Sequence, residues 1–258
     1  MGGALLRGWL QRGVEAARVT VVEPDREAAA AFDRLGVAVV AGPDAIAAGA
    51  RPDVVVFAVK PQVVAAAVPA YARFVAAGAV FLSIAAGKTI AAFETALGTE
   101  AAVVRAMPNT PAAIGRGISV ACANDRTDAG QRALCSGLLE AVGDVAWMGD
   151  EALMDAVTAV SGSGPAYVFL LVECLAAAGV EIGLPAELAE RLARATVAGA
   201  GELLHRCDDS PRALRQAVTS PGGTTAAAIA VLTAADGLQP LLTAAVAAAR
   251  DRSRDLAG

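Results

Sequence analysis

The hexapeptide Ser220-Pro221-Gly222-Gly223-Thr224-Thr225, running into the apolar stretch Ala226 to Leu232, has the residue types of a helix start that holds an anion. Pro221 lacks a backbone donor and biases Ser220 away from helical geometry. Gly222 and Gly223 let the main chain approach a ligand with no Cβ in the way. Thr224 and Thr225 put hydroxyls beside the first free N–H groups of the helix, where the positive end of the dipole attracts a carboxylate or a phosphate. Taken alone, the same residues also fit an ordinary helix start after a Gly-Gly turn.

Three further stretches stand where β-rich runs end: Val59-Lys60-Pro61-Gln62, Ser83-Ile84-Ala85-Ala86-Gly87 and Met107-Pro108-Asn109-Thr110-Pro111. The small residues around Ala86 let a flat ring approach the backbone, and Asn109 is held between two prolines. Each fits a tight strand-to-helix turn on its own. Three of them on one sheet edge favour a ligand, because ligands of open α/β sheets bind at the carboxyl ends of the strands. Near the start, Gly2 opens a helical pattern, and the run Arg18 to Val22 ends in Glu23 at the spacing of the acidic residue of a dinucleotide-binding βαβ unit. Glu23 would accept from a ribose 2′-OH and repel a 2′-phosphate, an effect Arg26 offsets. The first strand and first two glycines of that fingerprint are missing, so on motif alone the signal is weak.

The elements that must position these residues change character along the chain. Up to about residue 150, strands are predicted at 18–22, 37–40, 54–59, 79–84, 102–106, 118–121 and 145–148, alternating with helices at 26–35, 63–75, 90–97 and 129–142. This alternation predicts a doubly wound parallel α/β sheet, with the continuous run Val54 to Val59 buried on both faces. From Glu151 no strand is evident, and helices are predicted at about 151–160, 165–180, 185–206, 211–218, 224–234 and 238–255. The expected organisation is an α/β domain over 1–150 and an all-helical domain over 151–258.

Composition narrows the function further. A net charge of −5 and only 4% aromatic residues argue against a nucleic-acid partner. Ala166 to Val180, interrupted by Glu173, reads as a buried helix too short to span a membrane, and no secretory signal is evident. The four cysteines, Cys122, Cys135, Cys174 and Cys207, have no metal spacing and fit a reducing cytoplasm. With one histidine, His205, neither a histidine metal site nor a Ser-His pair has support, and the charged run Arg250 to Asp255 reads as a solvated helix end.

Together, MGGAL at 1–5, FAVKPQ at 57–62, SIAAG at 83–87, RAMPNTPA at 105–112, DAVTAVSGSGPAYVF at 155–169 and SPGGTT at 220–225 resemble pyrroline-5-carboxylate reductase, the last enzyme of proline biosynthesis, along essentially the whole chain. The resemblance implies a Rossmann-type domain for NADPH or NADH, then a helical domain that forms a homodimer and often a higher ring. The substrate site is expected between the two domains, with helices of the partner contributing. Gly2, Val59, Lys60, Pro61, Ala86 and Asn109 would then lie on the cofactor, joined by Glu23 from the spacing above. Ser220, Gly223, Thr224 and Thr225 would hold the carboxylate of pyrroline-5-carboxylate, with Glu151 matching an acidic position nearby. Met1 aligns with a methionine inside the family's glycine motif, so the chain is expected to begin upstream of it.

The implied reaction moves a hydride from the nicotinamide to the C=N carbon of a cyclic imine, giving L-proline. A protonated imine is already electrophilic, so no catalytic acid is assigned, and the protein's task is placement at roughly 3–3.5 Å. Lys60 fits a cofactor contact or a solvent-exposed residue better than an acid. A 3-hydroxyacid dehydrogenase would need an acid–base lysine in its helical domain, and no lysine follows Lys88. The remaining alternative is a non-catalytic, truncated dimeric relative.

Overall fold

The computed structural model describes residues 1–257, which form two compact units: Met1–Gly162 together with the chain from Arg250 on, and Ser163–Ala249. In the first, helix α1 (Gly2–Gln11) precedes β1 (Thr20–Val22), α2 (Arg26–Asp33) and β2 (Ala38–Val40). Then follow β3 (Val54–Phe57), α3 (Pro61–Ala67), β4 (Val80–Ser83), α4 (Ile90–Leu97), β5 (Ala102–Met107), β6 (Gly117–Ala123), α5 (Ala129–Glu140) and β7 (Gly143–Trp147). Local sequence explains several boundaries. Asp25 caps α2 by accepting from the N–H groups of Glu27 and Ala28, and Asp128 and Gln131 form a reciprocal capping box on α5.

The strands do not make one continuous parallel sheet. β1 and β2 pair as a parallel two-stranded sheet, and a five-stranded sheet has the order β3-β4-β5-β6-β7. β3 is therefore an edge strand, and Val54 and Val56 are only half-buried, not covered on both faces as the apolar run predicts. β3, β4 and β5 are parallel, with Val54 opposite Val80 and Val80 opposite Ala102. β6 runs antiparallel to β5, which departs from the all-parallel expectation. The link from Met107 to Gly117 holds only the 3₁₀ turn Thr110–Ile114, shorter than the dozen or so residues a parallel crossover needs.

The central strands β4 and β5 are buried on both faces, with side chains alternating along each strand. Phe57, Phe81, Phe93 and Val103 fill one side, where the Phe57 and Phe81 rings stack at 6.3 Å and Tyr71 meets Phe57 edge-on at 5.4 Å. Leu5, Val80, Leu82, Val104 and Leu139 fill the other, under α1 and α5. Beyond β7, a 3₁₀ turn (Glu151–Leu153), a single α-turn, α6 (Met154–Val157), and one π-helical turn (Thr158–Gly162) end the unit.

The second unit is all-helical: α7 (Gly164–Glu181), α8 (Ala186–Arg206), α9 (Pro211–Ala217) and α10 (Thr224–Leu232), then α11 (Leu238–Ala257), whose last turns belong to the first unit. α7 and α8 form a hairpin closed at Gly183, whose φ of +104° lets its N–H reach Val180 O and that of Leu184 reach Gly179 O. The two helices approach closely where Gly179 faces Ala189. α7 is not buried as its composition predicts, since none of its residues is buried within this chain. Phe169 is 61% exposed and Leu171 50%, because the faces that would cover them are not supplied by this unit. The stretch Glu151–Glu181 is apolar enough to cross a membrane by length and composition alone, yet the π turn and Ser163 divide it. The run Arg250 to Asp255 is not simply solvated either, for Ser253 is buried and donates to Asp155 Oδ1 at 2.7 Å.

Candidate functional site

Because β3, β4 and β5 are parallel neighbours, their carboxyl ends put the three distinctive loops on one sheet edge, as expected. After β3, Val59 and Lys60 are exposed, and Pro61 opens α3 at a position where its missing N–H costs nothing. After β4, Ser83 Oγ accepts from Ala85 N–H at 3.2 Å, Ala86 is exposed, and Gly87 turns the chain at a φ of +71°. The result is a small-residue shelf leading into α4. Gly2 packs against the end of β3: a Cβ on it would lie 2.8 Å from Ala58 Cβ, so only glycine permits this approach of α1.

Glu23 directly follows β1, in the other sheet. Its N–H donates to Val40 O at 2.9 Å, and its Oε1 accepts from Asp25 N–H at 3.0 Å. Asp25 occupies the first N–H groups of α2, so this corner carries two carboxylates beside Arg26. Exposed Lys60 and Ala86 stand at the carboxyl ends of β3 and β4, and Glu23 at that of β1, the ends where open α/β sheets take ligands.

Asn109 and Glu151 are more engaged in the fold than their sequence positions suggest. Asn109 Oδ1 accepts from Ile118 N–H at 2.9 Å, and Nδ2 donates to Ser161 O at 3.2 Å. Its amide thus ties the β5–β6 turn to the π turn, where a Cβ on Gly162 would lie 2.6 Å from Met107 Cε. Glu151 Oε1 accepts from Arg105 at 2.7 Å and from Ile90 N–H at 2.9 Å. Arg105 was missed in the sequence, although a lone cation within AVVRAM on a buried strand signals a buried partner. Beside this pair the Cys122 thiol is pushed up to about 11, mainly by burial, then by the Glu151 charge, with Arg105 acting in the opposite sense.

In the second unit, Ser220 to Gly223 form a tight turn with Pro221 second and Gly222 third at a φ of +70°, closed by Gly223 N–H donating to Ser220 O at 3.1 Å. This is the type II pattern. Gly223 caps α10 with no side-chain bond, so the helix opens with its first N–H groups bare beside the Thr224 and Thr225 hydroxyls. A Cβ on Gly223 would lie 2.5 Å from Ser220 Oγ, so the glycine keeps that hydroxyl in place over the helix start. Such a terminus binds a carboxylate through backbone donors and one hydroxyl, without a cationic side chain.

A sheet edge of exposed small-residue loops in one unit and a helical unit with an anion-type turn define a Rossmann-type α/β unit joined to an all-helical one. A family model described as pyrroline-5-carboxylate reductase dimerisation matches residues 151–256, and one described as NADP oxidoreductase, coenzyme F420-dependent, matches residues 1–87. A pyrroline-5-carboxylate reductase structure from Coxiella burnetii is 35% identical, with a TM-score of 0.93 over 100% of this chain and 95% of its own. The Plasmodium falciparum pyrroline carboxylate reductase, solved with NADP bound, is 28% identical with a TM-score of 0.82 over 100% and 95%. The pyrroline-5-carboxylate reductase of Pseudomonas aeruginosa is 47% identical over 178 residues, 69% of this chain and 65% of the relative. That of Synechocystis is 47% identical over 155 residues, 60% of this chain and 57% of the relative, so these alignments span less than two thirds of either relative's length. The chain belongs to the pyrroline-5-carboxylate reductase family.

Proposed function

We propose that the chain reduces 1-pyrroline-5-carboxylate to L-proline with NADPH or NADH. The observation that carries the reading is the Ser220–Gly223 turn opening onto the uncapped start of α10, a carboxylate holder in a chain of this family. In this reading residues 1–150 hold the cofactor and 151–258 supply the substrate turn and the dimer interface, although the compact units divide at Gly162 and Arg250 and not at residue 150. The nicotinamide supplies the hydride. Val59, Lys60, Pro61 and Ala86 present the shelf for it, Glu23 accepts from ribose hydroxyls, and Gly2 allows the close approach of α1. Asn109 contributes through the β5–β6 turn it fixes. Ser220 Oγ and the N–H groups of Thr224 and Thr225 fix the carboxylate, orienting the C=N carbon. Fixing both reactants converts encounter into placement, and a protonated imine then needs no protein acid.

The exposed apolar side chains of α7 and of the later helices are covered by a second copy of the chain, giving a homodimer that is able to build larger rings. The well-separated free thiols and the biosynthetic reaction support a cytoplasmic location. The test is isotopic. With pyrroline-5-carboxylate and NADPH carrying deuterium on the transferred position, the product should be L-proline deuterated on the ring carbon that bore the double bond. Proline without deuterium, or no proline, would count against the reading.

A further inference from the structure

We propose that Glu151, held by the buried Arg105, is a positioning residue for the nicotinamide shelf and not a ligand of the substrate. One carboxylate oxygen takes both bonds: Oε1 accepts from Arg105 Nη1 at 2.7 Å and from Ile90 N–H at 2.9 Å. Ile90 is the first residue of α4, and the five residues before it include Ala86 and the Gly87 turn. A carboxylate at this helix start suits the dipole and anchors the downstream end of the shelf. The upstream end is already fixed, since Ser83 lies in β4, paired to β3 and β5. Arg105 has only 6% of its side chain exposed, against 28% for Glu151, and the strand carrying it ends at Met107, two residues before Asn109. β5 and the turn after it thereby hold the segment 151–162 near both ends, through Arg105–Glu151 and through Asn109–Ser161. With its charge committed to Arg105, Glu151 acts on the ligand through the loop it holds.

The inference rests on the reductase reading, and its test separates the two. The double variant Arg105→Met with Glu151→Leu removes both charges, a replacement that often leaves the fold intact because no ion is left unpaired. In the folded double variant, kcat should fall about 100-fold, the scale of a small misplacement of a reacting group. The Kd for NADPH, read by fluorescence titration, should weaken about tenfold, while the KM for pyrroline-5-carboxylate stays within about threefold, its carboxylate being held at Ser220–Thr225. A folded double variant with kcat and NADPH Kd within threefold of the parent, or with the loss confined to the imine KM, would overturn the positioning role. If the double variant does not fold, Glu151→Gln decides: it keeps an acceptor for Ile90 and Arg105, so kcat and the NADPH Kd should stay within about threefold of the parent, and a loss confined to the imine KM would overturn the positioning role. A parent chain that binds NADPH but turns nothing over counts against the reductase reading, and the NADPH titration then decides the positioning role alone. A parent that does not bind NADPH overturns both.

Discussion

Gly223→Ala separates the ligand role of the Ser220 turn from its structural role. The backbone of Gly223 is at φ −80°, ψ 173°, which alanine adopts without strain. Losing glycine at the N-cap costs the helix only about 0.5–1 kcal/mol, a shift of roughly 1–4 °C in Tm for a chain of this size. The new Cβ, however, would lie 2.5 Å from Ser220 Oγ and 3.2 Å from Ser220 O. The hydroxyl must rotate away, and it leaves the mouth of α10. If it donates to the substrate carboxylate, the lost bond is of the charged kind, worth about 1.5–3 kcal/mol, so the KM for pyrroline-5-carboxylate should rise about 10- to 100-fold. The KM for the nucleotide should not move. The assay is initial rate against imine concentration at saturating nucleotide, with a thermal melt alongside. A variant that melts like the parent and keeps its imine KM within threefold would refute the carboxylate role of Ser220.

Other expectations follow from the same geometry. Gly143→Ala should unfold the first unit at much lower urea than the parent, because at its φ of +153° a Cβ would overlap the Gly117 backbone across the β6–β7 pair; an unchanged midpoint would contradict that packing. Asn109→Ala removes the acceptor of Ile118 N–H and a donor to Ser161, so it should lower stability by about 1–3 kcal/mol and activity more than tenfold, read by urea melts and kcat. Leu171→Asp with Leu175→Asp puts two charges on one exposed stripe of α7, and light scattering should report a monomer where the parent is a dimer. A parent that is monomeric, or soluble only in detergent, would refute the dimer reading of that face. Burial pushes Cys122 up to about 11 and Cys135 up to about 12, from 9.0. The folded state therefore holds these protons more tightly than the unfolded one. That contribution is fully present below pH 9 and is lost as pH rises through 11 and 12, so the urea midpoint should fall across that window. Replacing both thiols with alanine should flatten the fall, and an equally steep fall in that variant would contradict the assignment.

The loops were legible in the sequence because their chemistry is local. A proline beside paired glycines, or an asparagine between prolines, restricts the backbone wherever it occurs, and Ser220–Thr225, Ala86 and Lys60 stand where strand ends and helix starts were predicted. Long-range partners were not legible. Nothing near Glu151 reveals that Arg105 lies against it, and nothing near Asn109 names Ile118 or Ser161. The tie between Ser253 and Asp155 joins residues 98 apart, so a charged run that reads as solvated closes back on the fold. α7 misled for a related reason: an apolar helix looks the same in sequence whether its cover comes from its own chain or from another copy. The antiparallel β6 was readable in principle, from a connection too short for a crossover.

The most direct test of the central claim is oxidation of NADPH, or NADH, by the purified chain on addition of pyrroline-5-carboxylate, followed by the loss of nucleotide absorbance. The account expects saturable turnover that depends on the imine and is competed by L-proline. A folded chain that binds nucleotide yet leaves it unoxidised at any imine concentration would contradict it.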